Sequence, residues 1–137
     1  MPALYKIDKS RNLVLTMGFG RVTRKEVLIL QDRMSSDPEF NPGFSQVVDF
    51  AELTATDIGL TDVQTFAQRD AFSIYARRAI VVKGDLAFGF AKIFELCCQL
   101  WGARKIQVFR DLDEAFEWVL CPERTSASPH IEPAPLP

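Results

Sequence analysis

Four carboxylates crowd the stretch between positions 111 and 117, namely Asp111, Asp113, Glu114 and Glu117. Carboxylate oxygens bind calcium, but the spacing and internal glycine of a calcium loop are absent. Acidic residues in the first turn of a helix are favoured by the helix dipole, by about 0.3–1 kcal/mol. We therefore interpret this cluster as the start of a helix at Leu112 to Leu120, with Asp111 and Glu114 forming a capping box, and we expect no metal site.

The nucleophilic and metal-binding side chains are few. Cys97 and Cys98 are adjacent on a predicted helix, Cys121 stands apart, and the single histidine is His130. No CxxC spacing accompanies them, so the adjacent cysteines are interpreted as small apolar residues of the core. A Ser-His-Asp or Cys-His group needs a histidine held in the fold, and His130 lies in a proline-rich tail. We predict that the protein is not an enzyme and carries no cofactor.

One glycine pair resembles part of a dinucleotide fingerprint. Gly18 and Gly20 flank Phe19, but Thr23 stands where the third glycine is required. A predicted hairpin precedes the pair, whereas the fingerprint opens a βαβ unit. The pair is predicted to be a loop between a strand and a helix.

Composition limits the possible partners. The 137 residues are 47% hydrophobic and 25% charged, with a net charge of −2. That balance is ordinary for a globular domain and provides no basic field for nucleic acid. The most apolar segment, Leu86 to Trp101, is too short to span a membrane and contains Lys92 and Glu95. The first residues have no apolar run behind their charge, so we expect no signal peptide. We expect a cytoplasmic protein with no stable membrane insertion.

Strand and helix patterns alternate after an N-terminal hairpin. The predicted strands are Leu4 to Lys9, Leu13 to Phe19, Phe44 to Phe50, Ala79 to Val82 and Lys105 to Phe109. The predicted helices follow Thr23, Thr61 and Asp111, and the third of the four spans Leu86 to Trp101. This order, β-β-α-β-α-β-α-β-α, predicts an α/β fold with a mixed five-stranded sheet, an antiparallel hairpin and four helices. Residues 1–120 form the predicted domain, and residues 121–137 a flexible proline-rich tail.

Two further capping boxes are predicted, one on the first helix and one on the second. Thr23 with Glu26 starts the first, and Thr61 with Gln64 starts the second. Beyond Thr61, the helical period gives an inward face of Val63, Phe66, Ala67, Ala71 and Ile74. The same period places Asp70 inside this apolar stripe, where we expect it to pair with Arg77, Arg78 or a backbone donor.

The chain resembles a known family between Leu4 and Leu120. The resemblance rests on Val47-Val48-Asp49 before a loop and helix, and on Val108-Phe109-Arg110-Asp111 with Glu114-Ala115. These features are similar to STAS domains of the stage II sporulation protein AA type, which antagonise anti-sigma factors. They also resemble small, uncharacterised bacterial STAS-like proteins that are compared with the lipid-binding Sec14 fold. The resemblance implies a STAS-like fold and a regulatory role through protein interaction.

The resemblance also implies a candidate regulatory loop. In the antagonists, a serine at the start of the helix after the third strand is phosphorylated. Here Asp57 and Gly59 match the pattern, but Ile58 stands in the place of the serine. Thr56 and Thr61 are the nearby hydroxyl groups, and Thr61 is better explained as a helix cap. The sequence therefore gives a candidate loop without its phosphorylated serine.

Aromatic residues suggest two kinds of binding surface. The third helix carries Phe88, Phe90, Phe94 and Trp101 with only a narrow polar stripe, which predicts a helix buried on most sides. Phe72 falls on the polar face of the second helix, so we expect it to be exposed at a contact surface. The first functional prediction is a non-enzymatic STAS-like domain that binds a protein partner or forms a homodimer. The alternative is binding of a small apolar, lipid-like ligand in a pocket beside the third helix.

Overall fold

The sheet has five strands and begins with the predicted hairpin. In the computed structural model, which describes residues 3–121, the strands are β1 (Ala3–Asp8), β2 (Leu13–Val22), β3 (Ser45–Thr56), β4 (Arg77–Val81) and β5 (Lys105–Phe109). They lie in the order β1-β2-β3-β4-β5. β1 and β2 are antiparallel, and every later pair is parallel. The predicted mixed sheet is confirmed.

Four helices connect or follow the parallel strands. They are α1 (Arg24–Ser35), α2 (Leu60–Gln68), α3 (Asp85–Leu100) and α4 (Leu112–Leu120). The order of elements is the predicted one, β-β-α-β-α-β-α-β-α. Parallel neighbours need such crossover connections, and this need explains why a helix stands between each pair of consecutive strands from β2 to β5.

The helices divide unequally between the two faces of the sheet. Among the described helices, α4 alone covers one face, where Ala115 and Val119 pack on Leu13, Val47 and Val81. α1, α2 and α3 lie over the opposite face, in three apolar clusters that share its inward side chains. The sheet is thus covered on both sides, but one face is covered by a single helix and the other by three.

The predicted capping box of α1 is confirmed, and the predicted start of α4 is confirmed with one of the two bonds of its box. The Thr23 hydroxyl accepts a hydrogen bond from the Glu26 backbone N–H at 3.2 Å, and Glu26 Oε1 accepts one from the Thr23 N–H at 2.8 Å. At α4, the Asp111 carboxylate accepts from the Glu114 N–H at 2.9 Å. The acidic cluster therefore serves to start a helix, as its spacing indicates.

The predicted start and end of α2 are wrong. Gly59 precedes the helix and its N–H donates to Asp62 Oδ2 at 2.9 Å, so Thr61 lies inside the first turn and is exposed. The helix ends at Gln68, which leaves Ala71 and Ile74 outside it. The backbone of Gly59 is satisfied by the carboxylate three residues later, and this local bond fixes the start before Thr61 is reached.

The predicted loop at Gly18 and Gly20 is also wrong, because β2 continues through both residues to Val22. A Cβ atom at position 18 would lie 2.6 Å from a ring carbon of Phe50, so a larger residue would have to displace that ring. Gly20 has a positive φ of 65° and lies where the pairing of β2 with β3 shifts register. The glycines therefore serve strand packing rather than nucleotide binding.

Candidate ligand-binding cavity

A cavity of about 520 Å³ lies between the sheet and the three helices α1, α2 and α3. The sheet contributes side chains of β2, β3 and β4, and each of the three helices contributes apolar side chains. Large apolar side chains dominate its lining, among them Leu30, Met34, Val48, Phe50, Phe66, Ile80, Phe90 and Phe94. Its size falls in the range of about 300–1,000 Å³ that is usual for small-molecule sites.

The cavity opens to solvent beside the end of β3. Of the residues that line it, Thr54, Ala55, Thr56 and Leu86 are exposed. Three of these belong to the last residues of β3, and Leu86 lies at the start of α3. The mouth is therefore at the carboxyl end of a parallel strand, which is a frequent position for ligand sites in α/β sheets.

The structure places only part of the predicted aromatic set in this cavity. Phe90 and Phe94, one helical turn apart, line it together with Phe72. Phe88 instead stacks under the Arg110 guanidinium, 4.1 Å from its ring centre, and Trp101 caps the end of α3 and is 64% exposed. Phe88 lies two positions before Phe90 and therefore points to a different side of the helix. Trp101 follows the last residue of α3 and lies about two turns beyond Phe94.

The prediction that Phe72 is exposed is wrong, since the residue is only 8% exposed. Its ring meets that of Phe40 edge-on at 5.1 Å, and the Arg78 guanidinium lies 4.5 Å from its centre. The prediction extended the helical period of α2 past Gln68, where the helix ends. Phe72 is a wall of the cavity rather than a free contact residue.

The candidate regulatory loop lies at the mouth. Thr56 is the last residue of β3, and its hydroxyl accepts a hydrogen bond from the Ile58 N–H at 3.1 Å. Asp57 Oδ1 accepts from the backbone N–H of Arg24, the first residue of α1, at 2.7 Å. With Gly59 at the start of α2, the loop holds the starts of two helices that line the cavity. A regulatory role for this loop stays a prediction.

A buried polar network on the floor of the cavity has no counterpart in the sequence-based site prediction. Thr16, Gln46 and Arg78 come from β2, β3 and β4 and are buried on the same face of the sheet. The guanidinium of Arg78 donates two hydrogen bonds to Asp70, so the predicted pairing of Asp70 is confirmed. Polar residues at inward positions of apolar strands are the signal that could have revealed the network.

The prediction that α3 is buried on most sides is wrong. Leu96 and Leu100 are exposed, and Glu95 is buried in their place, with its Oε1 2.8 Å from the Lys92 ammonium nitrogen. Exposed apolar side chains gather around the end of the helix, where the Gly102 backbone approaches Ile74. We call this group the α3-end patch, and it consists of Ile74, Tyr75, Leu96, Leu100 and Trp101.

The cysteines Cys97, Cys98 and Cys121 are free thiols. Burial raises the pKa of the Cys98 thiol to about 12, against the opposing effect of the nearby Arg78 cation. A thiol with so high a pKa is not a nucleophile near neutral pH. Between residues 3 and 121, no group of three histidine, cysteine or carboxylate side chains is arranged to hold a metal ion.

Two other predictions concern a membrane span and the C-terminal tail. Within the described range, no helix is both long and apolar enough to cross a membrane. His130 and the proline-rich tail from position 122 onward lie outside the described residues.

A solved structure has a similar fold. It is an uncharacterised protein of the DUF3478 family from Shewanella loihica PV-4, described as having a SpoIIAA-like fold. The likeness has a TM-score of 0.55 and covers 84% of this chain and 91% of that one, at 16% sequence identity. No protein-family model and no curated protein matches the chain. The chain therefore has a SpoIIAA-like fold, which confirms the resemblance at the level of architecture.

Proposed function

We propose that this protein binds a small, mainly apolar ligand in the cavity between the sheet and α1, α2 and α3. The observation that carries the proposal is the cavity itself, at about 520 Å³ with a mostly apolar lining. Protein interiors are close-packed and seldom contain voids much larger than a water molecule. A space of this size, open at one end, matches the dimensions of a ligand site.

The side chains of α3 support a space that is kept open. Ala87 and Ala91 lie one turn apart on the helix and both line the cavity. Larger residues at these positions would fill part of the volume and add apolar contacts. Small side chains here, on the same helix as Phe90 and Phe94, leave room that a ligand would occupy.

The proposed action is binding without catalysis. The described residues that line the cavity include no histidine. Its one carboxylate, Asp70, is held by the Arg78 guanidinium. A general base or nucleophile needs a free and suitably poised group, and none is supplied by these side chains. A cytoplasmic location is likewise a prediction.

The first prediction tests the cavity directly. A neutral naphthylamine fluorophore, titrated into freshly purified protein, should bind saturably, and native mass spectrometry should reveal any co-purifying ligand mass. Replacing Ala87 with tryptophan should weaken fluorophore binding about tenfold, because excluding about two methylene-sized groups costs about 1.4–1.6 kcal/mol. The variant Gln99→Trp adds the same side chain at an exposed position of α3 and should bind normally. Absence of saturable binding by the unsubstituted protein would refute the proposal.

A second candidate function is self-association, and the α3-end patch supports it. Leu100 and Leu96 are 86% and 58% exposed, and Trp101, which follows Leu100 at the end of α3, is also exposed. Grouped exposed apolar side chains often mark protein contacts. Of the two occupants that the sequence analysis left open, a protein partner and a second copy, we propose the second copy.

The second prediction concerns this patch. Sedimentation equilibrium over a concentration series should show a dimer, and Leu100→Lys should raise its dissociation constant at least about tenfold, since a buried leucine contributes about 1.5–3 kcal/mol. Leu60→Lys, which changes another exposed leucine at the start of α2, is the matched control and should leave the constant unchanged. A monomer at the highest concentration would exclude the homodimer.

A further inference from the structure

The hydrogen bonds that join β4, β3 and β2 on the cavity floor run, from donor to acceptor, from Arg78 to Thr16. Arg78 Nε donates to Gln46 Oε1 at 3.2 Å, and Gln46 Nε2 donates to the Thr16 hydroxyl at 3.0 Å. The remaining contacts of the guanidinium include two hydrogen bonds to Asp70, at 2.5 and 2.8 Å. Arg78 therefore donates to Gln46, and Gln46 donates in turn to Thr16.

Thr16 is the end of this chain of hydrogen bonds. Its hydroxyl accepts from Gln46 but donates to no acceptor among residues 3–121, although a hydroxyl has one hydrogen to donate. Thr16 is 2% exposed and lines the cavity. The hydrogen of this buried hydroxyl is therefore available to an acceptor inside the cavity.

The charges around the cavity restrict what that acceptor can be. Arg78 and Asp70 are the charged side chains among the described residues that line it, and they form an ion pair. Their opposite charges offset each other, so no unbalanced cation is present to hold an anion. A ligand carboxylate would lose its hydration and would also approach Asp70, and burying an unpaired charge is costly. A neutral acceptor avoids both costs.

We infer that the ligand is an uncharged molecule with an apolar body and one hydrogen-bond acceptor, such as an ester or ketone oxygen, which accepts from the Thr16 hydroxyl. This inference rests on the proposed function, because it assigns a chemical class to the ligand of the same cavity. The apolar body lies against Phe50, Phe66, Phe90 and Phe94, and the acceptor reaches the floor formed by β2 and β3.

The third prediction compares three probes of similar length by displacement of the fluorophore: methyl laurate, tridecane and laurate. Methyl laurate should bind the unsubstituted protein about fivefold more tightly than tridecane, a ratio equal to about 1 kcal/mol and typical of one hydrogen bond. It should also bind more tightly than laurate. Thr16→Val should bind methyl laurate and tridecane equally, whereas Thr16→Ser, which keeps the hydroxyl, should retain the preference.

The outcomes separate the inference from the function on which it rests. If neither the fluorophore nor any probe binds, the proposed function fails. If the probes bind but the ester has no advantage over the alkane, a water or another group satisfies Thr16 and the inference is wrong. Tighter binding of laurate, or a preference that survives in Thr16→Val, would also overturn it. The comparison in the unsubstituted protein decides the question even if Thr16→Val does not fold.

Discussion

Replacing Asp70 with alanine is expected to lower the free energy of unfolding by about 3–5 kcal/mol, because the Arg78 charge would remain buried without its partner. The side chain of Arg78 is 4% exposed and that of Asp70 is 16% exposed. The guanidinium also lies 4.5 Å from the centre of the Phe72 ring and 6.0 Å from that of Phe94. Urea unfolding followed by circular dichroism measures the change.

A surface pair provides the matched control for this prediction. Asp32 pairs with Arg69 through a single contact, and the Asp32 side chain is 72% exposed. Exposed pairs contribute about 0–1 kcal/mol, so Asp32→Ala should change stability little. The double variant Asp70→Ala with Arg78→Met should recover much of the loss, because it removes the unpaired charge. Equal effects of Asp70→Ala and Asp32→Ala would show that Arg78 is well hydrated.

The order and type of the elements could be predicted because they depend on local chemistry. The capping box at Thr23 and the cap at Asp111 both form with the residues that the sequence indicates. Apolar runs such as Ala79 to Val82 predict buried parallel strands, and β4 occupies this position. Signals of this kind act within a few residues, so they can be recognised without knowledge of the tertiary structure.

The boundaries of α2 show where local signals compete. Two starts are possible in the sequence, one at Thr61 and one at Gly59 with Asp62, and the structure uses the second. The apolar pattern of a helix continues in the sequence past Gln68, although the helix ends there, and the prediction that Phe72 is exposed was wrong for this reason. A period cannot reveal where a helix stops unless a terminating residue marks the end.

The cavity could not be predicted because it is a property of three helices and a sheet together. Phe90 and Phe94 were identified from α3 alone, but Phe88 and Trp101 on the same helix face elsewhere. The space depends on how far α1, α2 and α3 stand from β3, and no short segment encodes that distance. Inward polar residues such as Gln46 and Arg78 are the only local hint of it.

The two faces of the sheet should respond differently to the loss of a large side chain. On the face that α4 covers, Leu13→Ala is expected to lower the free energy of unfolding by about 3–5 kcal/mol. Leu13 is fully buried on β2, in the cluster that α4 covers, and it does not line the cavity. Removing its side chain loses the transfer free energy of the removed atoms and leaves a void in a packed region. Thermal and urea unfolding of the variant measure this loss.

Ile80→Ala is the comparison on the other face and should lower the free energy of unfolding by less, about 2 kcal/mol. Ile80 is 6% exposed on β4, but it lines the cavity, so part of its surface has no protein neighbour to lose. The removed volume joins a space that already exists, and the new void adds a smaller penalty than one created in a packed cluster. Equal losses for the two variants would mean that the cavity is closed in solution, and the proposed ligand site would then have no room. A smaller loss for Ile80→Ala, partly restored by saturating fluorophore, would place the ligand against this face of the sheet.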